Sequence, residues 1–172
     1  MLHLLQAALV AVLPALLIVA ALSDVTTYRI RNWVSLAMIA GFALAAPAIG
    51  LPLSAIGLHV GVGAAALVLG IAMFALGWIG GGDAKVFAAA ALWLGWPAVV
   101  TYAIATCMAG GALATGLLVL RSGYLRPYVV TGPAWVSRLA EPGENVPYGV
   151  AIAVGALAAL PASPFATALT GF

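Results

Sequence analysis

Charge is nearly missing from this chain. Of its 172 residues only 6% are Asp, Glu, Lys or Arg, while 66% are hydrophobic. Soluble domains carry about a quarter charged residues, so an ordinary water-soluble fold is excluded. The six Lys and Arg are scattered rather than gathered into a stripe, which excludes nucleic acid as a partner despite a net charge of +2. Cysteine is just as scarce. The single Cys107 can form neither an internal disulfide nor a multi-cysteine zinc site, and its place in an apolar run predicts a small core residue. His3 and His59 have no carboxylate or cysteine at ligand spacing, so no metal and no cofactor are predicted. A basic stretch ahead of the first apolar run is absent too, because no Lys or Arg precedes Arg29. Residues 4–22 therefore read as a retained transmembrane helix rather than a signal peptide, and 19 residues rise about 28 Å against a hydrocarbon core of ~30 Å.

The few charges that remain fall in three segments. Residues 23–32 hold Asp24, Arg29 and Arg31; residues 78–85 hold Asp83 and Lys85; residues 121–146 hold Arg121, Arg126, Arg138, Glu141 and Glu144. The apolar runs between them predict an all-α, polytopic membrane protein. It is read as one six-helix domain over residues 1–172, with helices at about 4–22, 33–50, 54–77, 84–96, 98–120 and 147–169. The 35-residue run 86–120 is too long for a single span of about 20 residues, and Gly95-Trp96-Pro97 divides it. Six spans put both termini on one side and all three charged segments on the other, which the positive-inside rule makes cytoplasmic. The fourth helix is short. Its 13 residues rise about 20 Å, so Asp83 is expected to lie recessed in a polar pocket between helices.

An ionisable group at membrane depth is a functional candidate. Asp24 closes the first helix, and Asp83 opens the fourth behind Gly80, Gly81 and Gly82. Singly, Asp83 reads equally well as a helix N-cap and Asp24 as a solvated interfacial charge. Three glycines let backbone approach a neighbouring helix or an extended peptide closely, although a plain loop also uses them. Asn32 is placed to cap the second helix. Arg29 and Arg31 set topology, with contact to anionic lipid headgroups as the alternative. The 121–146 segment, with Tyr124, Tyr128 and Trp135, reads either as an interfacial guide for substrate or as a connector. Chain topology alone does not bring the first and fourth helices together.

Three segments carry a family resemblance. Gly80-Gly81-Gly82-Asp83-Ala84-Lys85 resembles the GxGD signature of type IV prepilin peptidases. Asp24, followed eight residues later by Asn32, resembles that family's first motif, with Arg31 standing where proline is common. Val146-Pro147-Tyr148-Gly149 resembles its third block, beside the last helix. The chain is most similar to the short CpaA/TadV-like members of tight-adherence (Flp) pilus systems. The resemblance implies a membrane aspartyl endopeptidase in which Asp24 and Asp83 share a water and a single proton. Gly80, Gly81, Gly82, Lys85, Asn32, Pro147, Tyr148 and Gly149 would support them. The helix dipole and Lys85 would make Asp83 the more acidic member. The implied partner is a prepilin or pseudopilin with a basic leader and an apolar helix, cleaved at the cytoplasmic face of a bacterial inner membrane. Membrane lipids and the pilus assembly machinery would surround it. Larger relatives methylate the new N-terminus using a segment with paired CxxC motifs, which this chain lacks, so no methyltransferase activity is expected.

Two other classes fit the same scarcity of charge. A small proton-coupled transporter or channel would use Asp24 and Asp83 as a relay, although such acids usually sit near the midplane on broken helices. A scaffold subunit of a secretion machine would need neither acid.

Overall fold

The computed structural model describes residues 2–124, 126–129 and 131–170, and these form helices joined by short turns, with no strand among them. The long elements are α1 (Leu2–Thr27), α2 (Asn32–Ala48), α3 (Leu53–Ala75), α4 (Gly81–Leu94) and α5 (Ala98–Leu120). Two short helices, α6 (Arg126–Val129) and α7 (Ala134–Leu139), interrupt the charged segment before α8 (Tyr148–Ala159), a 3-10 turn (Leu160–Ala162) and α9 (Pro164–Thr170). The extreme ends, residues 1 and 171–172, on whose side the topology expectation rests, lie outside the described residues.

Six transmembrane helices are not supported. Three helices, α1, α3 and α5, are long and apolar enough to cross a membrane. The 17 residues of α2 and the 14 of α4 fall short. The expected last helix over 147–169 is broken: Tyr148–Ala162 is a shorter apolar piece, and α9 follows Ser163. Pro161 and Pro164 lack the amide protons a continuous helix requires there. The first helix errs the other way, running past Leu22 to Thr27 and taking Asp24 inside it.

Small residues set the packing. On α3, His59, Gly63, Ala66 and Gly70 are buried along one seam. A Cβ on Gly63 would lie 2.9 Å from Cβ of Leu92, and one on Gly70 would lie 3.1 Å from Cβ of Ala84. Glycine lets α3 and α4 meet backbone to backbone, the way helices associate where lipid offers no hydrophobic contrast. The same device joins α5 to α8, where Gly110 receives the Tyr148 ring and Gly155 faces Thr106.

The shortest of the five long helices is the most enclosed. Along α4, Ala84, Val86, Ala88, Ala89, Ala90, Ala91, Trp93 and Leu94 are all buried, against α2, α3 and α8. A helix apolar on all sides belongs in the middle of a bundle. Its far end is tied down twice: Trp93 Nε1 donates to the Met38 carbonyl at 2.7 Å, and His59 Nδ1 lies 2.8 Å from the Leu92 carbonyl. The second contact satisfies a carbonyl of the last turn that has no helical partner. Gly95, at φ 62°, then turns the chain into α5. Fixing that end fixes the depth and rotation of the other, which carries Asp83.

Candidate active site

Asp24 lies in the last turn of α1, and Asp83 is the third residue of α4. Between them the chain turns sharply at Tyr28, whose φ of 52° is left-handed and whose N–H donates to the Asp24 carbonyl at 2.8 Å. A bulky residue in that region is strained and is held there by its surroundings. Both carboxylates are buried, Asp24 at 5% and Asp83 at 8% exposure. They line one cavity of about 460 Å³, together with Tyr28, Trp78, Ile79, Gly80, Glu144, Asn145, Val146 and Tyr148. The tertiary structure therefore supplies the meeting of the first and fourth helices that topology left open.

The two acids are held differently. Oδ2 of Asp24 accepts a hydrogen bond from the Gly149 amide at 2.7 Å. Oδ2 of Asp83 accepts one from the Gly80 amide at 3.1 Å, reaching back as an acid in the first helical turn does. Oδ1 of Asp83 is buried with no hydrogen-bond partner among the described residues. Burial first, and the neighbouring charge of Asp24 second, push the Asp83 carboxyl up to about 7. Asp83 lies outside the three helices long enough to cross. Burial raises the Asp83 carboxyl even though the helix end beside it pulls the other way.

Ile30 locks the three segments together. A Cβ on Gly149 would lie 2.9 Å from Asp24 Cβ, Asp24 Oδ2 and Ile30 Cδ1 alike, and one on Gly82 would lie 3.2 Å from Ile30 Cβ. Gly82 and Gly149 are thus glycine because Ile30 and Asp24 occupy the space. Gly81 lies against the Phe74 ring, and Gly80 forms part of the cavity wall. Pro147 is fully buried at the start of α8, and Tyr148 lines the cavity.

Asn32 departs from expectation. It is the first residue of α2 rather than its cap; Arg31 holds the cap position with no side-chain cap bond. Asn32 Oδ1 instead accepts from Lys85 Nζ at 2.9 Å, so the first and second motifs are also bridged on the exposed side. Arg31, at φ −73° and ψ 141°, has backbone angles that a proline would also adopt.

Part of the 121–146 segment covers this end of the bundle. Arg121 donates through Nε to the Leu139 carbonyl and through Nη2 to the Asn145 carbonyl, both at 3.0 Å. Arg138 pairs with Glu144 at 3.0 Å and stacks over the Tyr28 ring at 4.8 Å. Glu144 and Asn145 thereby form a cavity wall. Tyr124, Tyr128 and Trp135 remain exposed. Tyr28, Ile30, Glu144 and Asn145 were not singled out from sequence, and the only hint of Ile30 was its place inside the first motif. Among the described residues no group of three His, Cys, Asp or Glu side chains is placed to hold a metal.

Two buried aspartates in a polar cavity at one end of a very apolar helical bundle define a membrane protein with a paired-acid site. Residues 11–115 match the model of the type IV leader peptidase family, more than half of the chain, and the chain belongs to that family. Membership implies aspartic-type peptidase activity on a prepilin-type substrate. No curated protein and no solved structure matches the chain. The match includes Asp24 and Gly80–Lys85 but ends before Pro147, so the third segment joins the other two through the Gly149–Asp24 hydrogen bond.

Proposed function

We propose that Asp24 and Asp83 are the catalytic pair of a membrane aspartyl endopeptidase that removes the leader of a small, Flp-type prepilin at the cytoplasmic face of a bacterial inner membrane. The observation that carries this reading is that both buried carboxylates line one polar cavity while only Asp24 receives a short backbone N–H. A hydrogen-bonded carboxylate favours its ionised form, and two acids in one pocket do not both ionise cheaply. Asp24 is accordingly the base and Asp83 the acid of the resting pair.

In this scheme Asp24 takes a proton from a water that attacks the scissile carbonyl carbon, while Asp83 gives its proton to the carbonyl oxygen. Collapse of the tetrahedral intermediate breaks the C–N bond, with Asp24 returning its proton to the departing amine while Asp83 takes one back from a hydroxyl of the gem-diol as the carboxyl group forms. Such preorganised acid–base chemistry contributes about 10²–10⁴-fold on its own. The cytoplasmic orientation is supported by the gathering of Arg121, Arg138, Lys85 and the acids at one end of the bundle. The single cysteine speaks against an added methyltransferase activity.

The test is co-expression with a Flp-type prepilin, followed by electrophoresis for the mature form. Asp24→Asn and Asp83→Asn should each abolish maturation while the protein still inserts. Unprocessed pilin beside a properly inserted wild-type protein would sink the reading. Maturation that survives both substitutions would instead indicate a scaffold.

A further inference from the structure

Tyr28 brings two unfavourable features to the wall of the acid cavity. Its backbone is left-handed at φ 52°, and its phenol oxygen is buried with no hydrogen-bond partner among the described residues. Each feature destabilises the resting fold. The strained turn is held from several sides. Tyr28 N–H donates to the Asp24 carbonyl at 2.8 Å, and the Arg29 carbonyl accepts from Ser23 Oγ at 2.7 Å and Thr27 Oγ1 at 3.2 Å. Arg138 covers the ring at 4.8 Å. All of this fixes where the phenol lies, yet none of it uses the hydroxyl proton. The cations near that oxygen, Arg121 and Arg138, are donors only and accept nothing. Glu144 is near too, but it is paired with Arg138. Burial pushes the phenol above its usual value, so it stays a neutral donor. Buried donors in folded proteins are paired, and one left over in a cavity wall points to an acceptor that arrives with a ligand.

We propose that Tyr28 is a substrate-binding residue whose O–H donates to a main-chain carbonyl next to the scissile bond, an inference that rests on the peptidase reading above. A peptide bond inside a helix has its carbonyl already bonded within the chain, so the bond offered to the acids belongs to an unwound stretch. Every residue of that stretch brings a carbonyl stripped of water and in need of a donor. A cavity of about 460 Å³ is roughly 10 Å across, room for about three extended residues at ~3.3 Å each. Donors in its wall are few. The Gly80 and Gly149 amides serve the acids, while Trp78 and Asn145 are exposed and reach water. Tyr28 is left. In the scheme above Asp83 acts on the scissile carbonyl, so Tyr28 takes a neighbouring one and holds the strand in register with the pair. That bond is the same before and during reaction, so it strengthens binding and leaves the chemical step alone.

Tyr28→Phe tests this, because it keeps the ring under Arg138 and removes only the hydroxyl. The full-length protein is reconstituted in phosphatidylglycerol–phosphatidylethanolamine vesicles and assayed with a purified Flp-type prepilin. KM should rise about fivefold with kcat within about twofold, the loss of one hydrogen bond made equally in both states. The alkaline midpoint of kcat/KM should not move. Tm of the substrate-free variant should be unchanged or higher, since an unpaired hydroxyl contributes nothing to the resting fold. A synthetic prepilin with the carbonyls flanking the scissile bond replaced by thioamides, one at a time, locates the acceptor. One such position should raise KM for the wild type and add nothing in Tyr28→Phe. An unchanged KM in Tyr28→Phe would overturn the inference and leave a hydroxyl that serves only water. A fall in kcat alone would overturn it too, by placing the hydroxyl on the reacting atoms, and a lower Tm with unchanged kinetics would mark a structural role. The absence of any sensitive carbonyl in the wild type would count against it without recourse to a variant. All of these leave the peptidase reading standing, because the wild type still cleaves. Failure of the wild type to cleave the prepilin would overturn both.

Discussion

The backbone amide of Gly149 lies 2.7 Å from Oδ2 of Asp24, joining residues 125 positions apart in the chain. That bond closes the site: α8 begins where the acid of α1 ends, and Ile30 fills the angle between them. It also distinguishes the two acids, since Asp83 has a longer backbone bond and a bare Oδ1.

Gly149→Ala should therefore be severe. Its Cβ would fall 2.9 Å from Asp24 and Ile30 together, where neither backbone-anchored neighbour has room to retreat. Overpacking of this kind destabilises by about 1–3 kcal/mol, and displacing a catalytic group by about 1 Å lowers rate on the order of 10²-fold. Prepilin cleavage should drop by about that factor, with the protein still inserted. Cleavage within a few-fold of wild type would show that Gly149 does not position Asp24.

The pH profile follows from Asp83. Its carboxyl is raised to about 7, so the shift is upward and the protonated form persists into the neutral range. The proposed acid is present below that value and lost as pH rises through it. We expect kcat/KM to fall on the alkaline side with an apparent midpoint near 7, reported as a property of the pair. A rate that stays flat between about pH 6 and about pH 9 would remove Asp83 as the acid.

Arg121 holds the covering segment by two backbone carbonyls, those of Leu139 and Asn145. Arg121→Met should free the wall formed by Glu144 and Asn145, raising KM and exposing the segment to limited proteolysis. Arg121→Lys should rescue only in part, because an ammonium lacks the planar fork that reaches both carbonyls. Equal proteolysis rates for the wild type and Arg121→Met would count against this role.

Lys85 and Asn32 make a single exposed hydrogen bond. Such bonds contribute at most about 1 kcal/mol. Lys85→Met should leave cleavage within about threefold and lower Tm only slightly. A complete loss would mean that Lys85 acts on substrate rather than on Asn32.

Arg31→Pro should be tolerated. Its φ of −73° is the value a proline ring imposes, and among the described residues its N–H has no protein acceptor. Restricting the unfolded chain at a compatible position stabilises by about 0.4–1 kcal/mol. A lower Tm would show that the turn between Tyr28 and Asn32 needs the arginine side chain.

The sequence by itself determined that the chain is helical and membrane-bound, and which acids to examine. A chain with so little charge cannot solvate itself, and four carboxylates leave few candidates for acid chemistry. The motif around Gly80–Lys85 was legible because consecutive glycines before an acid are locally distinctive. Helix ends were less so. The break at Ser163 follows from Pro161 and Pro164, which local sequence does contain, whereas the extension of α1 to Thr27 depends on packing that apolar composition does not encode. Only the tertiary structure decided what the motif glycines accommodate, that Asn32 answers Lys85 instead of capping α2, and that Cys107 is exposed rather than in the core. The surroundings of the two acids also depended on it. A helix dipole is readable from chain position, whereas burial and a bond from a residue 125 positions away are properties of the assembled bundle.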